Sequence, residues 1–175
     1  MNTEEIRNKI ILDNINWKHI FTTNCYAFAL GLDIKERSIM KDAYQPGTIS
    51  NNNLGEWFTY GELLSNLKSD FDYLGIDYKE INPTDNIAED EWKIALFIKI
   101  YNYNYGKIVL SDFHFLRQIG DSWYHKPGYY GLPTNKDSND KIIIDPTMCN
   151  IYNKAYQKTY SLKLKKNWYF FFFLL

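Results

Sequence analysis

The feature that most constrains this chain is a pair of β-patterned runs, Asp112 to Ile119 and Ser122 to Lys126, joined by Gly120-Asp121. A two-residue loop containing glycine suits the primed turns whose twist matches that of antiparallel strands. Such a loop dictates register: Ile119 opposite Ser122, Gln118 opposite Trp123, and Leu116 opposite His125. Directly paired side chains share a face, and His114, two residues from Leu116, shares it too. His114 and His125 are therefore expected as diagonal neighbours, with backbones about 7–8 Å apart and imidazoles able to bridge the gap. A one-residue bulge would separate them.

Helical and strand signals divide the rest of the chain. Thr3 opens an expected helix with Ile6, Ile10 and Ile11 on one face, ending near Asn16. A second helix starts at the Thr59/Glu62 capping-box pair, carries Leu63, Leu67, Phe71 and Leu74 on one face, and stops at Gly75. Between Asp33 and Gly55 the chain is polar, and Pro46-Gly47 and Asn51-Asn52-Asn53 mark a long loop. Strands are expected over Ile76 to Asn82, Ile94 to Asn102, Lys141 to Asp145 (stopped by Pro146), Tyr160 to Leu164 and Asn167 to Leu174. The expectation is one α+β domain spanning residues 1–175.

The 45% hydrophobic and 18% aromatic content supplies a core for independent folding. A net charge of −1, with no concentrated Lys/Arg face, argues against nucleic acid as a partner. The apolar run Trp168 to Leu175 is too short to span a bilayer, which needs roughly 20 residues. It is expected as a buried terminal strand. The N-terminus lacks the apolar run and cleavage site of a secretory signal, so the expected location is cytoplasmic, or outside after release without a classical signal. Cys25 and Cys149 are expected as free thiols.

Cys25 sits in Thr23-Asn24-Cys25-Tyr26-Ala27-Phe28, where Asn24 or Thr23 can cap a short helix ended by Gly31. A thiol in the first helical turn meets unsatisfied N–H groups and the positive end of the helix dipole, which favour the thiolate. Such a nucleophile needs a base that titrates near neutrality, and the chain has three histidines to offer. His114 is the expected base and His125 the group that orients it. The other reading of Cys25 is a small buried core residue.

The Cys25-Tyr26-Ala27-Phe28 helix start, followed by a strand histidine, a hairpin and a second polar residue, resembles papain-like cysteine peptidases. It is most similar to their NlpC-like cell-wall branch, which uses Cys, His and often a second His. Asp112-Phe113-His114 through Trp123-Tyr124-His125-Lys126-Pro127-Gly128 also resembles uncharacterised bacterial proteins with a D-x-H…W-x-H-K-P-G pattern. The resemblance covers less than half of the chain.

It implies a nucleophile helix packed on an antiparallel sheet, a thioester acyl-enzyme, no cofactor, and a peptide or peptidoglycan-like substrate. The glutamine that the plant-type enzymes carry upstream of the nucleophile is missing. His19, six residues before Cys25, is the candidate that replaces it in the oxyanion hole. Asp112 and Asp145 are alternative orienting residues, or solvated strand-end carboxylates.

Two other readings compete. A zinc site drawn from Cys25, Cys149, His19, His114 and His125 lacks the close paired spacing of structural zinc motifs. A non-catalytic papain-like binding or toxin-associated module would keep the fold without turnover. Trp57, Trp92, Trp123, Tyr129 and Tyr130 divide between core and groove in a way sequence does not resolve.

Overall fold

A computed structural model describes residues 24–31, 44–102, 108–128, 131–154, 156 and 158–166. The helix expected from Thr3, His19, residues 33–43 of the long loop, Tyr129, Tyr130 and the strand expected from Asn167 lie outside the described residues. The described elements are helices α1 (Cys25–Leu30) and α2 (Tyr60–Leu74), a 3-10 turn (Ile151–Lys154) and five strands. The strands are β1 (Ile76–Ile81), β2 (Glu91–Asn102), β3 (Ile108–Ile119), β4 (Ser122–His125) and β5 (Lys158–Lys166). They form one antiparallel sheet in the order β1-β5-β2-β3-β4. The fold is α+β.

Local chemistry sets the helix ends. Asn24 caps α1 by accepting the Ala27 N–H on Oδ1 (2.9 Å), and Gly31 closes it in the left-handed region at φ 73°. α2 opens with a complete capping box: Glu62 N–H donates to Thr59 Oγ1 (3.2 Å) while the Glu62 carboxylate takes the Thr59 N–H (2.6 Å). Leu63, Leu67 and Phe71 bury its apolar face.

Both faces of the sheet are covered, so β2 is buried at every position from Glu91 to Ile98. On one face Ile94, Leu96, Ile98, Phe113 and Phe115 pack against α1 and α2. On the other, Ala95, Phe97, Leu116 and Trp123 meet Ile143 and Ile151 from the chain that follows β4. His114 alternates with Phe113 and Phe115 and so faces this second layer.

The hairpin has the expected register, with Leu116 opposite His125, Gln118 opposite Trp123 and Ile119 opposite Ser122. Gly120 takes φ 58° in its loop, a conformation other residues adopt at a cost. The expected strand Lys141 to Asp145 does not form. Instead the chain from Thr134 to Ile143 makes isolated contacts along β4: His125 and Thr134 exchange N–H donors (2.8 Å each), and Trp123 N–H donates to the Ile143 carbonyl (2.8 Å). Asp145 accepts from the Thr147 N–H and hydroxyl, turning the chain just before buried Pro146. No described helix is long and apolar enough to cross a membrane.

Candidate functional site

β4 pairs with β3 only from Leu116 to Ile119, and Leu110 bridges Phe58. Ser111 to Phe115 therefore present an edge outside the β4 ladder, and the start of α1 lies against it. The Phe115 N–H points at the Cys25 thiol. At the same place the β2–β3 ladder slips by one residue between Lys99 and Ile100, a bulge of the kind that re-aims side chains beside a site. A cavity of about 340 Å³ opens here, lined by Cys25, His114, Asp112, Lys99, Tyr152 and Tyr156, among others. Cys25 and His114, 89 positions apart in sequence (114 − 25), share this wall.

His114 Nε2 and His125 Nδ1 are 2.9 Å apart, and His125 Nε2 is 3.0 Å from the Lys136 carbonyl oxygen. A carbonyl only accepts, so His125 Nε2 carries a proton. Burial holds both imidazoles neutral at physiological pH: desolvation, reinforced by the repulsion a protonated His125 would exert, drops His114 to about 3, and desolvation lowers His125 as well. A neutral His125 protonated on Nε2 presents a bare Nδ1, which must accept from His114 Nε2–H. The lone pair of His114 is thereby assigned to Nδ1. Lys136, His125 and His114 form a one-way relay that fixes the tautomer a general base requires.

The sheet-side partners are held firmly. Asp137, next to Lys136, accepts the N–H groups of Asn139 (2.8 Å), Lys141 (3.0 Å) and Asn150 (3.0 Å), locking the loop that presents the Lys136 carbonyl. Tyr152 packs edge-on to His114 with ring centroids 5.1 Å apart, and the Tyr156 hydroxyl donates to Asp112 (2.8 Å). His114 is left 3% exposed.

Cys25 has the helix-start position expected of it, yet its thiol is not acidic. Desolvation pushes it up to about 11, and the nearby Asp112 charge adds to the rise; the Phe115 and Tyr26 N–H groups and Lys126 only partly offset them. A helix of six residues offers little dipole, and burial wins. At neutral pH the cavity is therefore lined by a protonated thiol and a neutral imidazole.

Of the candidate residues, the structure brings Cys25, His114 and His125 together and sets Asp112 at the cavity mouth. His125, not Asp112 or Asp145, bonds His114, and Asp145 is occupied by its own turn. Cys149 donates to the Pro146 carbonyl (3.2 Å) in the second core, and both cysteines are free thiols. Trp92 and Trp123 are core residues, whereas exposed Trp57 packs against Tyr101 with the rings tilted by 50°. Among the described residues, no group of three or more His, Cys, Asp and Glu side chains is placed to hold a metal ion.

Sequence reasoning missed Lys99, Tyr152, Tyr156 and the Lys136 carbonyl. The first three reach the cavity only through tertiary packing, and a backbone carbonyl leaves no mark on residue identity. No protein-family model, curated protein or solved structure matches this chain.

Proposed function

We propose that this chain is a cysteine-dependent hydrolase of peptide or amide bonds with a papain-like, NlpC-like arrangement. Its nucleophile is Cys25, its base His114 and its orienting residue His125. The observation that carries the proposal is the relay from the Lys136 carbonyl through His125 to His114, because it leaves an unprotonated nitrogen on a buried histidine that shares a cavity with a cysteine. A core histidine needs only satisfied hydrogen bonds; a base needs a defined tautomer.

In the proposed reaction Cys25 Sγ attacks the carbonyl carbon of the substrate as its proton passes to His114 Nδ1. The resulting imidazolium is stabilised through its Nε2–H by His125. His114 returns the proton to the leaving amine, the C–N bond breaks, and a thioester remains on Cys25. Water then attacks with His114 again as base, releasing the acid and restoring the thiol. The Cys25 N–H, in the first turn of α1 and without an acceptor inside the helix, is one oxyanion donor. His19 is proposed as the second. Peptidoglycan stem peptides are a substrate candidate through the family resemblance alone.

The test is hydrolysis of a panel of peptides and peptidoglycan fragments by wild type, Cys25→Ala and His114→Ala. Loss of turnover in both variants is the expected result, and equal activity in all three rejects the site. A papain-like binding module without turnover is favoured by one observation, the thiol held up near 11. It predicts that iodoacetamide labels Cys25 no faster than Cys149, whose thiol burial pushes to about 12.

A further inference from the structure

The proposed reaction has to place negative charge on a sulfur that burial strongly disfavours, and burial equally disfavours the His114 imidazolium that forms with it, so a standing cation would assist. The titratable groups around the sulfur come from three segments. β3 contributes Asp112 and His114, the 3-10 turn and the residues after it contribute Tyr152 and Tyr156, and the chain leaving β4 contributes Lys126. Asp112 is of the wrong sign, and Tyr152 and Tyr156 are held protonated, Tyr152 near 12, chiefly by desolvation. Lys99 lines the cavity, but it is exposed and pairs across the strands with Asp112.

Lys126 differs from these. It is 0% exposed, a rare state for a lysine, and its Nζ donates to the Gly128 carbonyl (2.8 Å), which belongs to the cavity wall. Its ammonium and a thiolate at Cys25 would attract each other. With the ammonium fully buried and Cys25 partly so, that attraction is screened less than between surface charges.

We propose that Lys126 is a positioning residue whose buried ammonium stabilises the Cys25 thiolate as it forms. The inference rests on Cys25 being the nucleophile. Burial lowers the ammonium to about 8, with Cys25 opposing the drop, so the residue carries its charge at neutral pH. Placed directly after His125, it brings the relay and the compensating charge to the site on one short segment, His125-Lys126. The fixed cation favours the thiolate without moving the proton, and so divides the work with His114.

The first test is the rate of Cys25 alkylation by iodoacetamide near neutral pH in wild type, Lys126→Met and Lys126→Arg, each checked for folding by circular dichroism. Loss of the charge is expected to slow labelling about tenfold, the equivalent of one pKa unit, with substantial recovery in the arginine variant. A folded methionine variant that labels at the wild-type rate overturns the proposal.

A second measurement needs no substitution at Lys126. Cys25 of the wild-type protein is alkylated with iodoacetate or with iodoacetamide, giving adducts that differ by one negative charge, and Lys126 is titrated by NMR of 13Cε-labelled lysine. Lys126 is expected to titrate higher in the carboxymethyl protein, and equal titration in the two adducts overturns the proposal. Failure of both reagents to label Cys25 overturns it as well. Charge coupling without turnover on the peptide panel leaves Lys126 in place and sinks the hydrolase reading instead.

Discussion

Acid should unfold this protein through its histidine pair. His114 has its pKa depressed from 6.5 to about 3 in the folded chain, so its contribution to stability is complete above the unfolded value. That contribution is lost as pH falls from there toward the folded value. In that window the unfolded state binds a proton that the folded state refuses. Between about pH 7 and about pH 4.5 the loss from this one group amounts to about 2–3 kcal/mol, and His125, also depressed, adds to it. Against a typical domain stability of about 5–15 kcal/mol this is a large fraction.

The assay is urea unfolding at several pH values across that window for wild type and His114→Gln. The glutamine can still donate to His125 but does not titrate. Wild-type stability should fall steeply toward acid while the variant's curve is flatter by about 1 kcal/mol per pH unit. Parallel curves would show that His114 is solvated enough to protonate in place, and the neutral relay would then have no basis.

Three further outcomes follow from the geometry. His125→Ala should orphan both the His114 Nε2–H and the Lys136 carbonyl, costing about 1–3 kcal/mol for each in thermal or urea unfolding. Alkylation of Cys25 should keep rising through the alkaline range toward about 11, less steeply where Lys126 loses its proton, and a rate plateau already reached near neutrality would contradict the raised thiol pKa. Asp70→Ala should destabilise the protein by at least about 3 kcal/mol, lowering the urea midpoint at unchanged slope. The buried carboxylate accepts from the Tyr26 hydroxyl (2.8 Å), the Gly47 N–H (2.7 Å) and the Ser50 N–H (2.8 Å) and hydroxyl (2.7 Å).

Elements written by neighbouring residues were legible in the sequence: Asn24 and Gly31 around α1, the Thr59/Glu62 box of α2, and the hairpin register that unites His114 with His125. Each depends on contacts within a few positions, or on a turn too short to allow a second register. Features that depend on the chain returning from a distance were not legible. The loop carrying Lys136 docks on β4 by backbone contacts that impose no residue pattern, which is why Lys141 to Asp145 read as a strand. The thiol's pKa went the opposite way from its helix-start expectation because burial is decided by what packs over a residue, not by its neighbours in sequence. β5 lies between β1 and β2, although those two strands are adjacent in sequence.

The stretch of β3 that β4 leaves uncovered has a consequence for self-association. An uncovered strand edge invites pairing by another chain, and proteins commonly guard such edges with charge, bulges or a covering element. Here α1 is that cover, reinforced by the bulge beside Lys99 and Asp112, so the segment bearing Cys25 also shields the sheet from other molecules. Weakening the attachment of α1, for instance through Asn24 or Tyr26, would expose the strand and disable the cysteine together. Loss of the proposed chemistry and onset of aggregation would then report a single event.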